Sequence, residues 1–142
     1  MTKIINNSFY LISLGCAKNL VDSQGMSHLL RQNAMIEVQD HSKARFLIVN
    51  TCGFIESARQ ESLDVLRKIS RSKKKGQFLI AAGCMTQRYQ DSLLKQVNGI
   101  DAMLGTRRWI DINHVLENLT RGSTSVKPYL HFPPALSMAI DK

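Results

Sequence analysis

Three cysteines, Cys16, Cys52 and Cys84, are the residues of this sequence best suited to chemistry. Each follows a short apolar run: Phe9 to Leu14, Phe46 to Asn50 and Phe78 to Ala82. A glycine adjoins each one, with Gly15 and Gly83 ahead of their cysteines and Gly53 behind Cys52. A lone cysteine is ordinarily a small buried hydrophobe, and tight turns use glycine in any case. Three thiols at equivalent turns, each near a helix start where unpaired N–H groups favour thiolate, instead form a ligand pattern. The odd count argues against a disulfide scaffold. Structural zinc takes four protein ligands, often in C-x2-C pairs, and no such pair is present. Of the histidines, His28 falls inside a helical segment, His131 lies near the chain end, and neither His41 nor His114 follows a strand directly. An iron-sulfur cube tolerates three protein ligands and leaves one iron open, so a 4Fe-4S cluster is the preferred cofactor and zinc the weaker one.

The elements that must position these thiols follow from periodicity. Phe9–Leu14, Phe46–Asn50, Phe78–Ala82 and Ile100–Leu104 read as strands buried on both faces, with Met35–Val38 as an edge strand. Helix-period segments separate them. Asn19 to Gln32 places Val21, Met26, Leu29 and Leu30 on one side; Glu56 to Ser70 has Leu63, Leu66 and Ile69; Gln87 to Gln96 has Leu93 and Leu94; Trp109 to Leu119 has Ile112, Val115, Leu116 and Leu119. Five strand-helix alternations predict an α/β fold, a flavodoxin-like doubly wound parallel sheet of about five strands in the order 2-1-3-4-5. All three cysteines then open onto the crevice at the carboxyl ends of the strands. Residues 1–119 form the predicted domain. From Thr120 onward the Gly, Ser and Pro content reads as a linker or tail, 120–142, of a chain that continued further.

Nineteen Lys and Arg against eleven Asp and Glu give a formal charge of +8, which favours an anionic partner such as a ribosome surface. No apolar stretch is long enough to span a bilayer and no secretion signal is evident, which predicts a cytoplasmic protein with no membrane partner. Lys18, Arg59, Arg88, Arg107 and Arg108 follow strands and are placed by the topology on the cysteine face. Arg71-Ser72-Lys73-Lys74-Lys75 precedes a strand and reads as a solvated loop at the opposite edge. Asn19, Asp22, Asn50 and Thr51 flank the cysteine turns and could hydrogen-bond around cluster sulfurs, or simply cap helices and shape turns. A nucleotide or flavin module would need a phosphate-cradling loop after the first strand, yet Gly15-Cys16-Ala17-Lys18-Asn19 has no G-x-G-x-x-G pattern. A metal-free docking domain also remains open. Trp109 reads as a packing residue.

Several local motifs, in order, resemble the N-terminal domain of the methylthiotransferases. They are Leu14-Gly15-Cys16-Ala17-Lys18-Asn19-Leu20-Val21-Asp22-Ser23, Val49-Asn50-Thr51-Cys52-Gly53-Phe54-Ile55 with Gln60-Glu61-Ser62, Ala82-Gly83-Cys84, and Leu104-Gly105-Thr106. The likeness spans roughly residues 8 to 119. The tRNA-modifying branch of that family usually shows Gly-Cys-Gln-Met-Asn at the first cysteine. Ala17-Lys18 here resembles the RimO branch instead, which methylthiolates an aspartate of a small-subunit ribosomal protein. Gln24 departs from the Glu common in the family. The resemblance implies that Cys16, Cys52 and Cys84 bind an auxiliary 4Fe-4S cluster. It also implies a radical SAM domain, in cis or in trans, carrying a second 4Fe-4S cluster and S-adenosylmethionine. The Cys-x3-Cys-x2-Cys motif of that domain is absent from this sequence, so the chain alone is not expected to complete the reaction.

Overall fold

The computed structural model describes residues 3–15, 17–53, 55–122 and 129–131, without the side chains of Gln87, Thr106 and Arg107. Cys16, and the expected tail apart from 120–122 and 129–131, lie outside the described residues. In chain order the elements are β1 (Ile5–Ser13), α1 (Ala17–Gln32), β2 (Ile36–Glu37), β3 (Ala44–Thr51), α2 (Glu56–Ser72), β4 (Phe78–Gly83), α3 (Cys84–Arg88), α4 (Gln90–Gln96), β5 (Ala102–Leu104), α5 (Ile112–Arg121) and β6 (Tyr129–His131). Short 3-10 segments cover His41–Lys43 and Thr106–Asp111. The strands form one parallel sheet in the order β2-β1-β3-β4-β5-β6. The expected 2-1-3-4-5 order is the one found, extended by a sixth strand drawn from the segment that composition reads as a tail.

The pleat of the central strands sorts their side chains into two cores. Phe9, Phe46, Ile48, Ile80 and Ala82 meet Met26 and Leu30 of α1 and Val115, Leu116 and Leu119 of α5. On the other face Leu47, Val49, Leu79, Ala81 and Met103 meet Leu63, Leu66 and Ile69 of α2 and Leu93 of α4. Trp109 packs against the first of these cores, as expected. The single helix expected over Gln87 to Gln96 is two, α3 and α4, because Tyr89 leaves helical geometry at φ −123° and ψ 37°.

The face of α1 differs from the apolar reading. Its buried residues are Asn19, Ser23, Met26 and Leu30, while Val21 is 63% exposed. Their spacing is one helical stripe whose amino-terminal half is polar. Met26 and Leu30 fill the core below, and Asn19 and Ser23 serve the carboxyl edge of the sheet above.

Lys73 also departs from the solvated-loop reading. Its Nζ donates to Asp101 Oδ2 and to the Gly99 carbonyl, each at 2.7 Å, and the same Asp101 oxygen accepts the Leu79 amide at 2.8 Å. Both side chains are largely buried, so this pair ties the end of α2 to the starts of β4 and β5. Breaking a buried pair costs about 3–5 kcal/mol, and the remaining solvent contact lowers that to about 2 kcal/mol for Asp101→Ala. Urea unfolding measures this, and a loss under about 0.5 kcal/mol would show the pair to be screened like a surface one.

Candidate metal centre at the carboxyl edge of the sheet

Register places the site. Ser13 pairs with Asn50, Asn50 with Ala82, Ala82 with Leu104 and Leu104 with His131, so these residues form one row across the sheet. Thr51 and Gly83 are also partners, and Cys52 and Cys84 are the next residues along their strands. Cys52 and Cys84 therefore emerge side by side, both as free thiols, Cys52 buried and Cys84 half-buried. The Gly53 amide, one residue past Cys52, donates to Cys84 Sγ at 3.3 Å. On the β1 side a Cβ on Gly15 would fall 2.3 Å from Cys52 Cβ and 2.6 Å from its Sγ. Gly15, immediately before Cys16, thus lies directly against Cys52.

The backbone of Cys52 is fixed by a residue that cysteine and glycine spacing does not reveal. Ser62 Oγ of α2 accepts the Cys52 amide at 3.0 Å and donates to the Cys52 carbonyl at 2.9 Å. A hydroxyl in the buried stripe of α2 beside Leu63 and Leu66 is the signal that could have found it. Ser62→Ala leaves both groups buried and unpaired, which costs about 2 kcal/mol. Denaturant unfolding should show that loss, and an unchanged midpoint would mean that water replaces the hydroxyl.

The flanking polar residues are spent on backbone. Asn19 Nδ2 donates to the carbonyls of Leu14 and Thr51, each at 2.7 Å, and approaches that of Asn50 at 3.3 Å. Asn50 Nδ2 donates to the Asn19 carbonyl and to Ser23 Oγ, both at 3.0 Å. Thr51 Oγ1 donates to the Ala82 carbonyl at 2.6 Å, and Thr86 Oγ1 bridges the carbonyls of Gly83 and Leu104. These bonds lock the ends of β1, β3, β4 and β5 into one rigid rim. Asp22 lies outside the group and pairs with Lys18 at 3.3 Å.

The cations expected on this face are mostly compensated. Arg59 pairs with Glu56 and lies over the Tyr89 ring at 4.7 Å, and Arg108 pairs with Asp111 at 3.0 Å. Arg88 is exposed, and the Arg107 side chain is outside the described residues. His131 is placed differently from the sequence reading: it ends β6 on the same edge, where its Nε2 meets Asp111 Oδ2 at 2.9 Å and its Nδ1 meets Tyr129 Oη at 3.3 Å. Both ring nitrogens are engaged there, which leaves neither for a metal.

A thiolate-bound cluster requires convergent sulfurs and backbone that comes close without Cβ atoms in the way. Cys52, Cys84 and the bare Gly15 turn fit that requirement, and an amide donating to Cys84 Sγ is the kind of outer contact that orients a ligating thiol. Among the described residues no group of three His, Cys, Asp or Glu is placed to hold a metal ion, and Cys16 lies outside them.

Residues 8–105 match the profile of a family described as "Uncharacterized protein family UPF0004". The chain belongs to this family. It is also 45% identical over 113 residues to the ribosomal protein uS12 methylthiotransferase RimO of Roseiflexus sp. (strain RS-1), covering 80% of this chain and 24% of that protein. Proteins of the same name are 42% identical in Thermoanaerobacter sp. (strain X514), over 80% of this chain and 26% of the relative, and 42% identical in Chloroflexus aurantiacus, over 84% and 26%. The chain spans about a quarter of the length of the curated relatives it matches. This UPF0004 chain therefore resembles the N-terminal domain of RimO-like methylthiotransferases over most of its length. Among the described residues no helix is long and apolar enough to cross a membrane.

Proposed function

We propose that this chain is the auxiliary cluster-binding domain of a cytoplasmic radical SAM methylthiotransferase that modifies an aspartate of a small-subunit ribosomal protein. The observation that supports this most directly is the pair Cys52 and Cys84, side by side at the carboxyl edge, with the Gly53 amide on Cys84 Sγ and Gly15 against Cys52. Cys16, Cys52 and Cys84 hold the 4Fe-4S cluster. When bound, the cluster supplies an iron with an open coordination position that can take a sulfur ligand. The chain's own residues do the positioning. Ser62 fixes the Cys52 backbone, and Asn19, Asn50, Thr51 and Thr86 hold the neighbouring strand ends at a constant spacing, so the thiols meet the cluster without rearrangement. Residues 1–119, with β6 added to their sheet, act as the cluster domain, and the remainder of 120–142 as connector. A radical SAM core with its own 4Fe-4S cluster and S-adenosylmethionine works with it, in cis or in trans. The substrate reading rests on relatives named for uS12 and on the Ala17-Lys18 motif.

Anaerobic iron-sulfur reconstitution tests the assignment. The native chain should take up about four irons, and a Cys16→Ala, Cys52→Ala, Cys84→Ala variant essentially none. Equal iron content in the two would remove the cysteines as ligands.

A further inference from the structure

The most basic part of this chain lies on the edge of the sheet opposite the cysteines. Between Val65 and Gln90 the sequence contains no Asp or Glu, while Arg67, Lys68, Arg71, Lys73, Lys74 and Lys75 fall there, Arg88 in the same stretch belonging to the cysteine edge. Lys73 is neutralised by Asp101 and Arg67 lies 4.0 Å from Asp64. Lys68, Arg71, Lys74 and Lys75 are exposed, and among the described residues no carboxylate pairs with any of them. The loop that carries Lys74 and Lys75 is held in place, since Gln77 Nε2 donates to the carbonyls of His41 and Ala44 at 2.8 Å each. That anchor brings exposed Lys43 to the same edge. Asp40, also exposed there, is engaged by Ser42, whose hydrogen bonds hold its carboxyl below the usual carboxylate range.

Two shallow concavities adjoin these cations. One is lined by Lys68, Arg71 and Ser72, and the other by Arg67, Ser70, Arg71, Gln96, Val97 and Asn98. Arg71 belongs to both, and its Nε donates to the Arg67 carbonyl, which fixes the guanidinium between them. A cation or two at the end of α2 would satisfy the helix dipole. Lys74 and Lys75 lie beyond the helix, and so many uncompensated like charges within one Debye length repel one another. A counter-charge is needed to offset that repulsion, and the single exposed carboxylate of Asp40, beside Lys43, is too little to supply it.

We propose that this amino-terminal edge of the sheet, Lys43, Lys68, Arg71, Lys74 and Lys75, is an RNA-binding surface that grips phosphates. RNA fits better than an acidic protein because the charged groups lining the surface are all cations, joined by serine hydroxyls and side-chain amides. Among the described residues the most exposed large apolar side chains, Leu20, Val21, Ile55 and Ile110, belong to the opposite edge, while Ile5, which pairs with Ala44 on this edge, is only 37% exposed. On this arrangement RNA is held on one edge of the sheet and the cysteines face away from it. The inference is independent of the cluster assignment.

Fluorescence anisotropy with a labelled RNA hairpin tests it on the full chain, comparing native protein, a Lys68→Gln, Arg71→Gln, Lys74→Gln, Lys75→Gln variant, and a control losing equal charge from the cysteine edge through Lys18→Gln, Arg59→Gln, Arg88→Gln and Arg108→Gln. The patch variant should bind roughly 30-fold more weakly at about 50 mM salt, with the slope of log affinity against log salt flattened by about 3. The control should lose much less. A loop-only variant, Lys74→Gln with Lys75→Gln, should show part of the loss while its circular dichroism stays native. Equal weakening of patch and control variants would make the binding a property of net charge and overturn the proposal. So would competition by poly-aspartate as effective as RNA at matched charge, which would assign the surface to an acidic protein.

Discussion

Gly83→Ala should lower the stability of this domain by at least about 4 kcal/mol, and the melting temperature by about 15 °C. Gly83 joins β4 to α3 at φ 97° and ψ −175°, a region of backbone space that residues with a Cβ occupy only at a cost of about 1–3 kcal/mol. Sterics add to this. A Cβ there would lie 2.4 Å from the Thr51 carbonyl oxygen, 2.6 Å from Asn50 Oδ1 and 3.0 Å from the Thr51 nitrogen. None of these atoms can yield easily. Thr51 is the ladder partner of Gly83 and is fully buried, and Asn50 is held by Asn19 and Ser23. Gly122 is the control, being left-handed at φ 62° with nothing within 4 Å of a would-be Cβ, so Gly122→Ala should cost only about 1 kcal/mol. Thermal unfolding of both variants decides the matter. Comparable losses would show that only backbone conformation counts at Gly83 and that the packing of β4 against β3 is softer than its geometry indicates. The same substitution should weaken iron uptake, because it forces apart the two strands that carry Cys52 and Cys84.

The sequence made the sheet order and the shared edge of Cys52 and Cys84 legible because both depend on repetition. Apolar runs ending in Gly-Cys or Cys-Gly recur at equivalent turns, and parallel topology brings such turns together. What it concealed depends on single contacts between distant segments. Val21 looked like a core residue of α1, but the stripe that faces the sheet runs through Asn19 and Ser23, whose polarity disguised it. Periodicity counts apolar residues and misses a buried face that is polar because strand ends need hydrogen bonds. Lys73 looked like one more solvated lysine, and only the fold brings Asp101 to it. β6 has no periodic signal in three residues. It is held by the Asp101 carbonyl, the Gly105 amide and the Asp111 carboxylate, none of which its own sequence reveals. Charge pairing is likewise invisible to a rule that places basic residues only by the strand they follow. Arg59, Arg108 and Lys18 have carboxylate neighbours one helical turn away, whereas Arg71, Lys74 and Lys75 have none.

The other large effect centres on Asn19, whose side-chain amide joins the Leu14 carbonyl in the turn after β1 to the Thr51 carbonyl at the end of β3. Asn19→Asp changes no volume but points a carboxylate at the carbonyls of Leu14 and Thr51 in a site where the residue is 3% exposed. An ionised carboxylate there meets acceptors only, so the folded variant must keep the group protonated, and its pKa in the folded state rises above the unfolded value near 3.9. The sign of the pH dependence follows. The folded state binds the extra proton, so stability relative to the parent is best below about pH 4 and falls by about 1.4 kcal/mol per pH unit above it, until the folded-state pKa is reached. Neutral solution should therefore show a loss of roughly 3 kcal/mol or more, and pH 4.5 a much smaller one. Urea unfolding of both proteins at the two pH values makes the comparison. A difference that stays constant with pH would mean that the group is hydrated and that the amide of Asn19 is not the donor holding the rim. If the pH dependence is present, the Asn19 amide is a principal tie between the strand end that carries Cys52 and the turn before Cys16. The placement of the thiols then rests on the polar half of α1 as much as on the hydrophobic core beneath it.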